Sequence, residues 1–239
     1  MTTAKLFLWQ DGALYRGPIA DTALHRHHAA QICIGPNDAP FRLQLEGDPW
    51  IETTFAFLPS DTPHCFESPN PQSIIVLIDG EGPLGQCTKA PILENPGISI
   101  QSPTSLQEAK NATNNIAKHL GVDHGHPRDV RLLRALDHIQ SLDIKAITVE
   151  ELASIAALSE SRFQHLFSEQ IGIPIRRYLL WRRLHDSISA IKAGTDLTAA
   201  AHLGGFSDSA HFSRTFKETF GLSPSSLFKN SRNVQVIIE

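Results

Sequence analysis

The chain has 239 residues, of which 41% are hydrophobic and 19% are charged, a balance typical of a globular protein that excludes a disordered one. The formal net charge of −4 hides an asymmetry, because residues 1–127 carry 7 basic and 13 acidic side chains whereas residues 128–239 carry 14 and 12. The C-terminal half is therefore too weakly basic for its charge alone to indicate nucleic-acid binding.

The lengths of the apolar runs and the spacing of the cysteines indicate the cellular compartment of the protein. No stretch approaches the ~18 apolar residues of a membrane span, and the first apolar run, Leu6-Phe7-Leu8-Trp9, is too short for the core of a signal peptide. Cys33, Cys65 and Cys87 form no Cys-x-x-Cys pair, which indicates reduced thiols. The sequence predicts a cytoplasmic protein that does not contact membranes.

Residues 1–101 are predicted to form a β domain. Four short segments rich in β-branched or aromatic residues are predicted as strands, at residues 31–34, 41–45, 53–58 and 73–78. Turn signals rich in Gly, Pro, Asn and Asp separate them. Several short strands with this spacing are typical of a β-sandwich or barrel.

Residues 102–127 are predicted to be a helix and a linker. Ser105 and Glu108 have the spacing of a capping box. One face of the helix carries the apolar and small side chains of Leu106, Ala109, Thr113, Ile116 and Leu120. That face either packs on its own domain or forms a short seam in a homodimer. The linker, residues 121–127, contains His124 and His126, for which solvent exposure is favoured over metal binding.

The helical half contains an internal repeat. Residues 148–159 align with residues 196–207, and beyond one inserted residue the match continues at an offset of 49. Each copy has the parts of a helix-turn-helix, namely a small residue at the helix contact, a small residue in the turn, a serine N-cap, a phenylalanine pair and a final glycine. These positions are Ala153, Ala157, Ser159, Phe163, Phe167 and Gly172 in the first copy, and Ala201, Gly205, Ser207, Phe212, Phe216 and Gly221 in the second.

The segment between the copies, residues 174–194, is predicted to be a connecting helix. About 20 residues with a rise of ~1.5 Å make a rod of roughly 30 Å, close to the ~34 Å between successive major-groove faces on one side of DNA. It carries four arginines that either contact phosphates or form a solvated surface, namely Arg176, Arg177, Arg182 and Arg183.

Residues 129–228 resemble the AraC/XylS family of bacterial transcriptional regulators. The resemblance rests on Glu151-Leu152-Ala153, on Gly205-Phe206-Ser207-Asp208, on the run from His211 to Lys217, and on Gly221-Leu222-Ser223-Pro224. It implies a double helix-turn-helix DNA-binding domain over residues 128–232, in an activator of transcription with double-stranded DNA and RNA polymerase as partners. Ser187 stands where alanine is usual, and Phe228 where an arginine is usual, with Lys229 next to it.

The same resemblance assigns base-reading residues to the exposed faces of the two second helices. In the first copy this face presents Ser161, Gln164 and His165, with Arg162 beside it. In the second copy it presents Ser209, Ala210, Ser213 and Arg214, with His211 and Lys217 nearby, and all ten residues are predicted to bind DNA. Gln164 can pair with adenine, and Arg214 can contact guanine or phosphate.

The N-terminal half resembles the small cupin-type barrel found in front of such domains. His25-x-His27-x-x-x-Gln31 and Pro59-x-Asp61-x-x-His64 resemble the two cupin motifs, with Gln31 in place of the usual glutamate and Asp61 in place of the usual glycine. The resemblance implies that His25, His27, Gln31 and His64 line an effector pocket or hold a divalent metal, since neutral imidazole is a good ligand for first-row metals. An organic effector, a metal and no ligand are the three alternatives.

The predicted fold class is α+β, a cupin-like β-barrel followed by an all-α domain of two helix-turn-helix units joined by a linker helix. The predicted function is a sequence-specific DNA-binding transcriptional regulator, not an enzyme, that responds to a small-molecule effector or a metal. The alternatives are a metal-dependent cupin enzyme with a helical appendage and an adaptor that uses the helical units for protein contacts.

Overall fold

The computed structural model describes residues 4–9, 12–19, 23–122, 129–141, 144–221, 223–229 and 234–238. Strands precede the helices except for one strand at Val234–Ile238, and this arrangement confirms the predicted α+β class. Within the described residues the chain forms two compact units. Of the described residues, the first unit contains those up to Gly80, those from Leu84 to Val122 and those from Ser213 onward. The second unit contains Glu81–Pro83 and the residues from Asp129 to Phe212. The domain ranges 1–101, 102–127 and 128–232 stay predictions.

The strands of the first unit form two sheets. The strands are β1 (Ala4–Trp9), β2 (Gly12–Arg16), β3 (Ala29–Ile34), β4 (Phe41–Leu45), β5 (Ile51–Thr53), β6 (Phe55–Leu58), β7 (His64–Glu67), β8 (Ile74–Asp79) and β9 (Val234–Ile238). One sheet has the order β6-β3-β8-β2-β1-β9, and the other has the order β5-β4-β7. Neighbouring strands are antiparallel except β1 and β9, which are parallel. The four predicted strands are confirmed as β3, β4, β6 and β8, whereas β1, β2, β5, β7 and β9 were not predicted.

Side-chain alternation divides the large sheet into two buried faces. On β3, Ala30, Ile32 and Ile34 belong to a core that includes the first helix. Cys33 lies on the opposite face, in a core shared with Phe41 of the small sheet and other apolar residues of both sheets. The two sheets therefore pack on one another, as predicted for a β-sandwich or barrel.

Helix α1 (Leu106–His119) covers the other face of the large sheet. Ser105 Oγ accepts a hydrogen bond from the amide of Glu108, 3.2 Å away, which confirms the N-cap. The Glu108 carboxylate accepts from the amide of Thr104 at 2.8 Å. Ala109 and Ile116 are fully buried against the sheet. Packing on its own domain, the first of the two alternatives, is therefore the one observed for this face, and a homodimer stays a prediction.

The remaining helices follow in chain order. They are α2 (Val130–Ser141), α3 (Val149–Ile155), α4 (Glu160–Ile171), α5 (Ile175–Lys192), α6 (Leu197–Leu203), α7 (Ser209–Phe220) and α8 (Pro224–Lys229). Helix α7 passes from the second unit to the first at Ser213. Among the described residues no helix combines the length and hydropathy that crossing a membrane needs. His124 and His126 of the predicted linker lie outside the described residues.

Candidate nucleic-acid interface and histidine cluster

The first copy of the repeat has the predicted helix-turn-helix geometry. Thr148 caps α3 by accepting from the amide of Glu151 at 3.1 Å. The turn contains Ala157, whose φ of 52° lies in the left-handed region. Ser159 caps α4 by accepting from the amide of Arg162 at 3.4 Å, and Gly172 ends α4 with a φ of 89°.

The second copy repeats this geometry with one difference. Asp196 caps α6, and Gly205 occupies the turn with a φ of 77°. The cap of α7 is Asp208, whose Oδ1 accepts from the amide of His211 at 2.7 Å. The prediction that Ser207 is the cap is therefore wrong by one residue. A carboxylate is the stronger acceptor at the positive end of a helix, and the Ser207 hydroxyl instead donates to Asp208 Oδ2 at 3.0 Å.

The phenylalanine pairs and the polar side chains lie on different faces of α4 and α7. Phe163, Phe167, Phe212 and Phe216 are buried. Of the ten predicted DNA-binding residues, the exposed ones are Ser161, Arg162, His165, Ala210, Arg214 and Lys217, and the half-buried ones are Gln164, Ser209, His211 and Ser213. The orientation that base reading requires is thus present in both helices, and the contacts with DNA stay a prediction.

Helix α5 has 18 residues, which corresponds to about 27 Å. Its arginines differ in their surroundings. Arg182 pairs with Asp186 at 2.9 Å and donates to the Ile139 carbonyl at 3.1 Å, while Arg177 lies 3.8 Å from Glu81. Arg176 is exposed. Arg182 is therefore held by internal partners, and Arg176 is the better candidate for a phosphate contact.

The three predicted imidazoles form a cluster in the first unit, called here the histidine cluster (His25, His27 and His64). His25 and His64 exchange backbone hydrogen bonds of 3.1 and 2.9 Å, which fixes their relative position. The ring centroids are 4.5 Å apart for His25 and His64, 5.3 Å for His27 and His64, and 5.7 Å for His25 and His27. One ring nitrogen of each lies within 4.8 Å of those of the other two.

Each histidine of the cluster is anchored through Nδ1. The Nδ1 atoms lie 2.9, 2.9 and 2.8 Å from the carbonyl oxygens of Ala23, Ala29 and Thr62 respectively. Because a carbonyl oxygen can only accept, Nδ1 carries the hydrogen and a neutral ring has its lone pair on Nε2. Burial lowers the pKa of His27 to about 4 and the pKa of His64 to about 3, so both rings are neutral at pH 7.

Two residues of the cupin-like motifs adjoin the cluster. Gln31 is buried, with Oε1 3.1 Å from Nε2 of His27, and its amide nitrogen donates to Cys33 Sγ at 3.1 Å. Asp61, at the position where the motif usually has glycine, has a φ of 59°. Nε2 of His64 is buried without a hydrogen-bond partner in the described part of the chain. Three imidazole nitrogens and an amide oxygen suit a divalent transition metal.

Sequence reasoning missed that the end of α7 lies on the histidine cluster. The carbonyl of Glu218 accepts from the amide of His28 at 2.7 Å. Gly221, with a φ of 77°, is so close that a Cβ there would lie 2.6 Å from Cδ2 of His27 and 2.7 Å from Cδ2 of His25. These residues all belong to the first unit. The only signal for this contact in the sequence is Gly221, and the end of a helix is by itself a sufficient explanation for a glycine.

The helical half of the chain is similar to known proteins. Residues 152–230 match the model of a family described as a helix-turn-helix domain, which confirms that prediction. The probable transcriptional regulator LumQ of Photobacterium leiognathi is 40% identical over 81 residues, which are 34% of this chain and 33% of that protein. The arabinose operon regulatory protein of Escherichia coli is 38% identical over 107 residues, or 41% of this chain and 35% of that protein. The matched part spans about a third of the length of these curated relatives.

Among solved structures, ToxT from Vibrio cholerae aligns with a TM-score of 0.49 and 11% identity, over 92% of this chain and 98% of that chain.

Proposed function

We propose that this chain, whose C-terminal part is a helix-turn-helix domain of the AraC type, is a sequence-specific DNA-binding transcriptional regulator. The observation that carries the proposal is the duplicated unit, in which a buried phenylalanine face leaves a polar face in solvent on both α4 and α7. The match to the domain family favours a regulator over a cupin enzyme or a protein-contact adaptor.

Base reading is assigned to the exposed faces of α4 and α7. Gln164 offers a donor and an acceptor that match adenine in the major groove, and the guanidinium of Arg214 matches guanine. Arg162 and Lys217 are exposed cations beside these faces and suit phosphate contacts. His211 packs edge-on against Phe206 with centroids 5.3 Å apart, which favours a role in positioning the start of α7.

The first experiment is a selection of bound sites from random duplex DNA, followed by affinity measurements on the selected site and on unrelated DNA at several salt concentrations. We expect affinity for the selected site to fall steeply with salt, because each neutralised phosphate releases counterions. The absence of any enriched sequence would contradict the proposal.

Gln164→Ala tests base reading directly. We expect it to weaken binding to the selected site by about 1–3 kcal/mol, with little change on unrelated DNA. Glu169→Ala, on an exposed position of the same helix, is the matched control and leaves the selected-site affinity in place. Equal losses on both DNAs for Gln164→Ala would remove its assignment as a base reader.

The proposal includes a sensory role for the N-terminal sheets, which bind a small-molecule effector or a metal. It also includes RNA polymerase as a partner, a cytoplasmic location and, as one arrangement, a homodimer formed through a surface other than the buried face of α1. Support comes from the similar proteins, which are transcriptional regulators of bacteria.

A further inference from the structure

We propose that a divalent transition metal bound by Nε2 of His25, His27 and His64 is an effector of this protein, and that it acts by releasing the end of α7 from the histidine cluster. The inference rests on the proposed function for its effect on DNA. The metal site itself stands on the geometry of the first unit alone.

The anchoring of the three rings favours a metal site. A ligating histidine usually donates its other ring N–H to a carbonyl or carboxylate, which orients the lone pair toward the metal. All three Nδ1 atoms of the cluster donate to backbone carbonyls, so the three Nε2 lone pairs are left for a ligand. Nε2 of His64 is buried and has no other partner among the described residues.

The donor set indicates the class of metal. Neutral imidazoles suit Zn²⁺, Ni²⁺, Co²⁺ and Cu²⁺, whereas Mg²⁺ and Ca²⁺ prefer oxygen ligands. Oε1 of Gln31, 3.1 Å from Nε2 of His27, can supply a fourth ligand. Oε1 of Gln31 and the unprotonated Nε2 of His27 are both acceptors, so a cation bound by both atoms would relieve their unfavourable contact.

Metal binding requires the rings to converge. Ligands about 2.1 Å from Zn²⁺ lie about 3.4 Å from one another in a tetrahedral site. The ligand atoms of the cluster are separated by up to 4.8 Å, and the widest pair of rings is His25 and His27, with centroids 5.7 Å apart. Chelation therefore brings these two rings toward each other.

The end of α7 lies against those same two rings. Gly221 contacts the Cδ2 edges of His25 and His27, so closely that a single methyl group would not fit. Convergence of the rings removes the space that Gly221 occupies. The metal-bound cluster and the docked helix end thus exclude each other, and by linkage each weakens the other by the same factor.

Release of the end of α7 has a consequence for DNA binding. The helix carries Arg214 and Lys217, which are predicted to contact DNA. While the Glu218 carbonyl accepts a hydrogen bond from the amide of His28, the end of α7 is held within the first unit. We therefore expect the metal to raise DNA affinity by freeing α7 to follow the groove.

The first test measures metal binding by the full chain after treatment with a chelator. Calorimetry with Zn²⁺ and visible absorption with Co²⁺ should show one site per chain. His64→Gln is expected to lower the affinity at least tenfold, while His119→Gln, an exposed histidine of α1, is the matched control and leaves it unchanged. Circular dichroism confirms that both variants are folded. No binding, or equal binding by His64→Gln and the unaltered chain, would overturn the metal site.

The second test measures the coupling by hydrogen exchange and DNA affinity, with and without Zn²⁺. We expect faster exchange for amides of residues 214–221 with metal, and a rise in affinity for the selected DNA of about 5- to 150-fold. His64→Gln should show neither change. Gly221→Ala, whose methyl group cannot fit beside the histidines, should bind DNA tightly without metal.

The outcomes separate the two proposals. Metal binding with unchanged or slower exchange of α7 overturns the coupling. Metal-dependent exchange in a protein that binds no DNA under any condition supports the release of α7 and instead contradicts the regulator function.

Discussion

The two copies of the helix-turn-helix share their local geometry but differ in what holds them. In the first copy, α3 and α4 lie in one core with α2 and the start of α5, and Phe167 packs edge-on against Tyr178 with centroids 5.3 Å apart. In the second copy, α7 leaves the second unit at Ser213 and ends on the histidines of the first unit. A repeated sequence thus determines the turns and helix ends, while the tertiary neighbours of the two copies differ.

The two copies differ at the close contact between Gly204 and helix α5. Gly204 of the second copy corresponds to Ala156 of the first. A Cβ at Gly204 would collide with Ser187 Oγ and lie 2.5 Å from the carbonyl oxygen of Arg183, both on α5. Ser187 Oγ is itself buried without a hydrogen-bond partner in the described chain. Ser187 therefore lies where α5 closely approaches Gly204.

The largest effect is expected for Gly204→Ala. Because backbone atoms of α5 cannot move aside cheaply, we expect a loss of about 3 kcal/mol in the free energy of unfolding. The reverse exchange in the first copy, Ala156→Gly, should cost about 1 kcal/mol, mainly through backbone entropy. Urea unfolding followed by circular dichroism measures both, and equal losses would show that the two contacts are alike.

An intermediate effect is expected at the cap of α7. Asp208→Ala removes the acceptor of the His211 amide and should cost about 1 kcal/mol, as should Ser159→Ala in the first copy. Ser207→Ala is the control, since its hydroxyl accepts from no backbone amide of α7 in the hydrogen bonds described. Thermal unfolding of the three variants gives the ranking, and a larger loss for Ser207→Ala than for Asp208→Ala would restore the cap predicted from the repeat.

The smallest effect is expected in the turns. Ala157 has a φ of 52°, a conformation that costs a non-glycine residue about 1–2 kcal/mol. Ala157→Gly relieves this strain but adds backbone entropy to the unfolded chain, so we expect a net gain below about 1 kcal/mol. Gly205→Ala, at the equivalent turn, should instead lose about 1 kcal/mol. The midpoint of urea unfolding distinguishes the two signs, and a loss for Ala157→Gly would contradict the assignment of strain.

The features that sequence predicted correctly are the local ones. Capping by Ser105 and Ser159, the turns at Ala157 and Gly205 and the strands β3 and β4 follow from patterns within a few residues. Strands β1 and β7 were missed because neither shows an alternation of buried and exposed residues, since five of the six residues of β1 and three of the four of β7 are buried.

The sequence predicted the residues of the histidine cluster but not all of their contacts. The cupin-like motifs predicted that His25, His27 and His64 belong to one site, and in the structure their rings lie close together. The docking of Gly221 on those rings could not be predicted, since a glycine after a helix has a sufficient local explanation. The face of α1 was ambiguous for a related reason, because an apolar stripe does not specify whether its partner is a sheet or a second chain.

The parallel pairing of β1 with β9 has a consequence for how the protein folds. Ala4 pairs with Val234, so one edge of the large sheet is completed by residues synthesised 230 positions later. Until then the nascent chain presents an open strand edge, which invites pairing with other chains. Closing so long a loop also slows assembly. The large sheet therefore depends on residues that follow the helix-turn-helix domain. A chain shortened to end before β9 should aggregate during synthesis, because the edge of β1 stays unpaired.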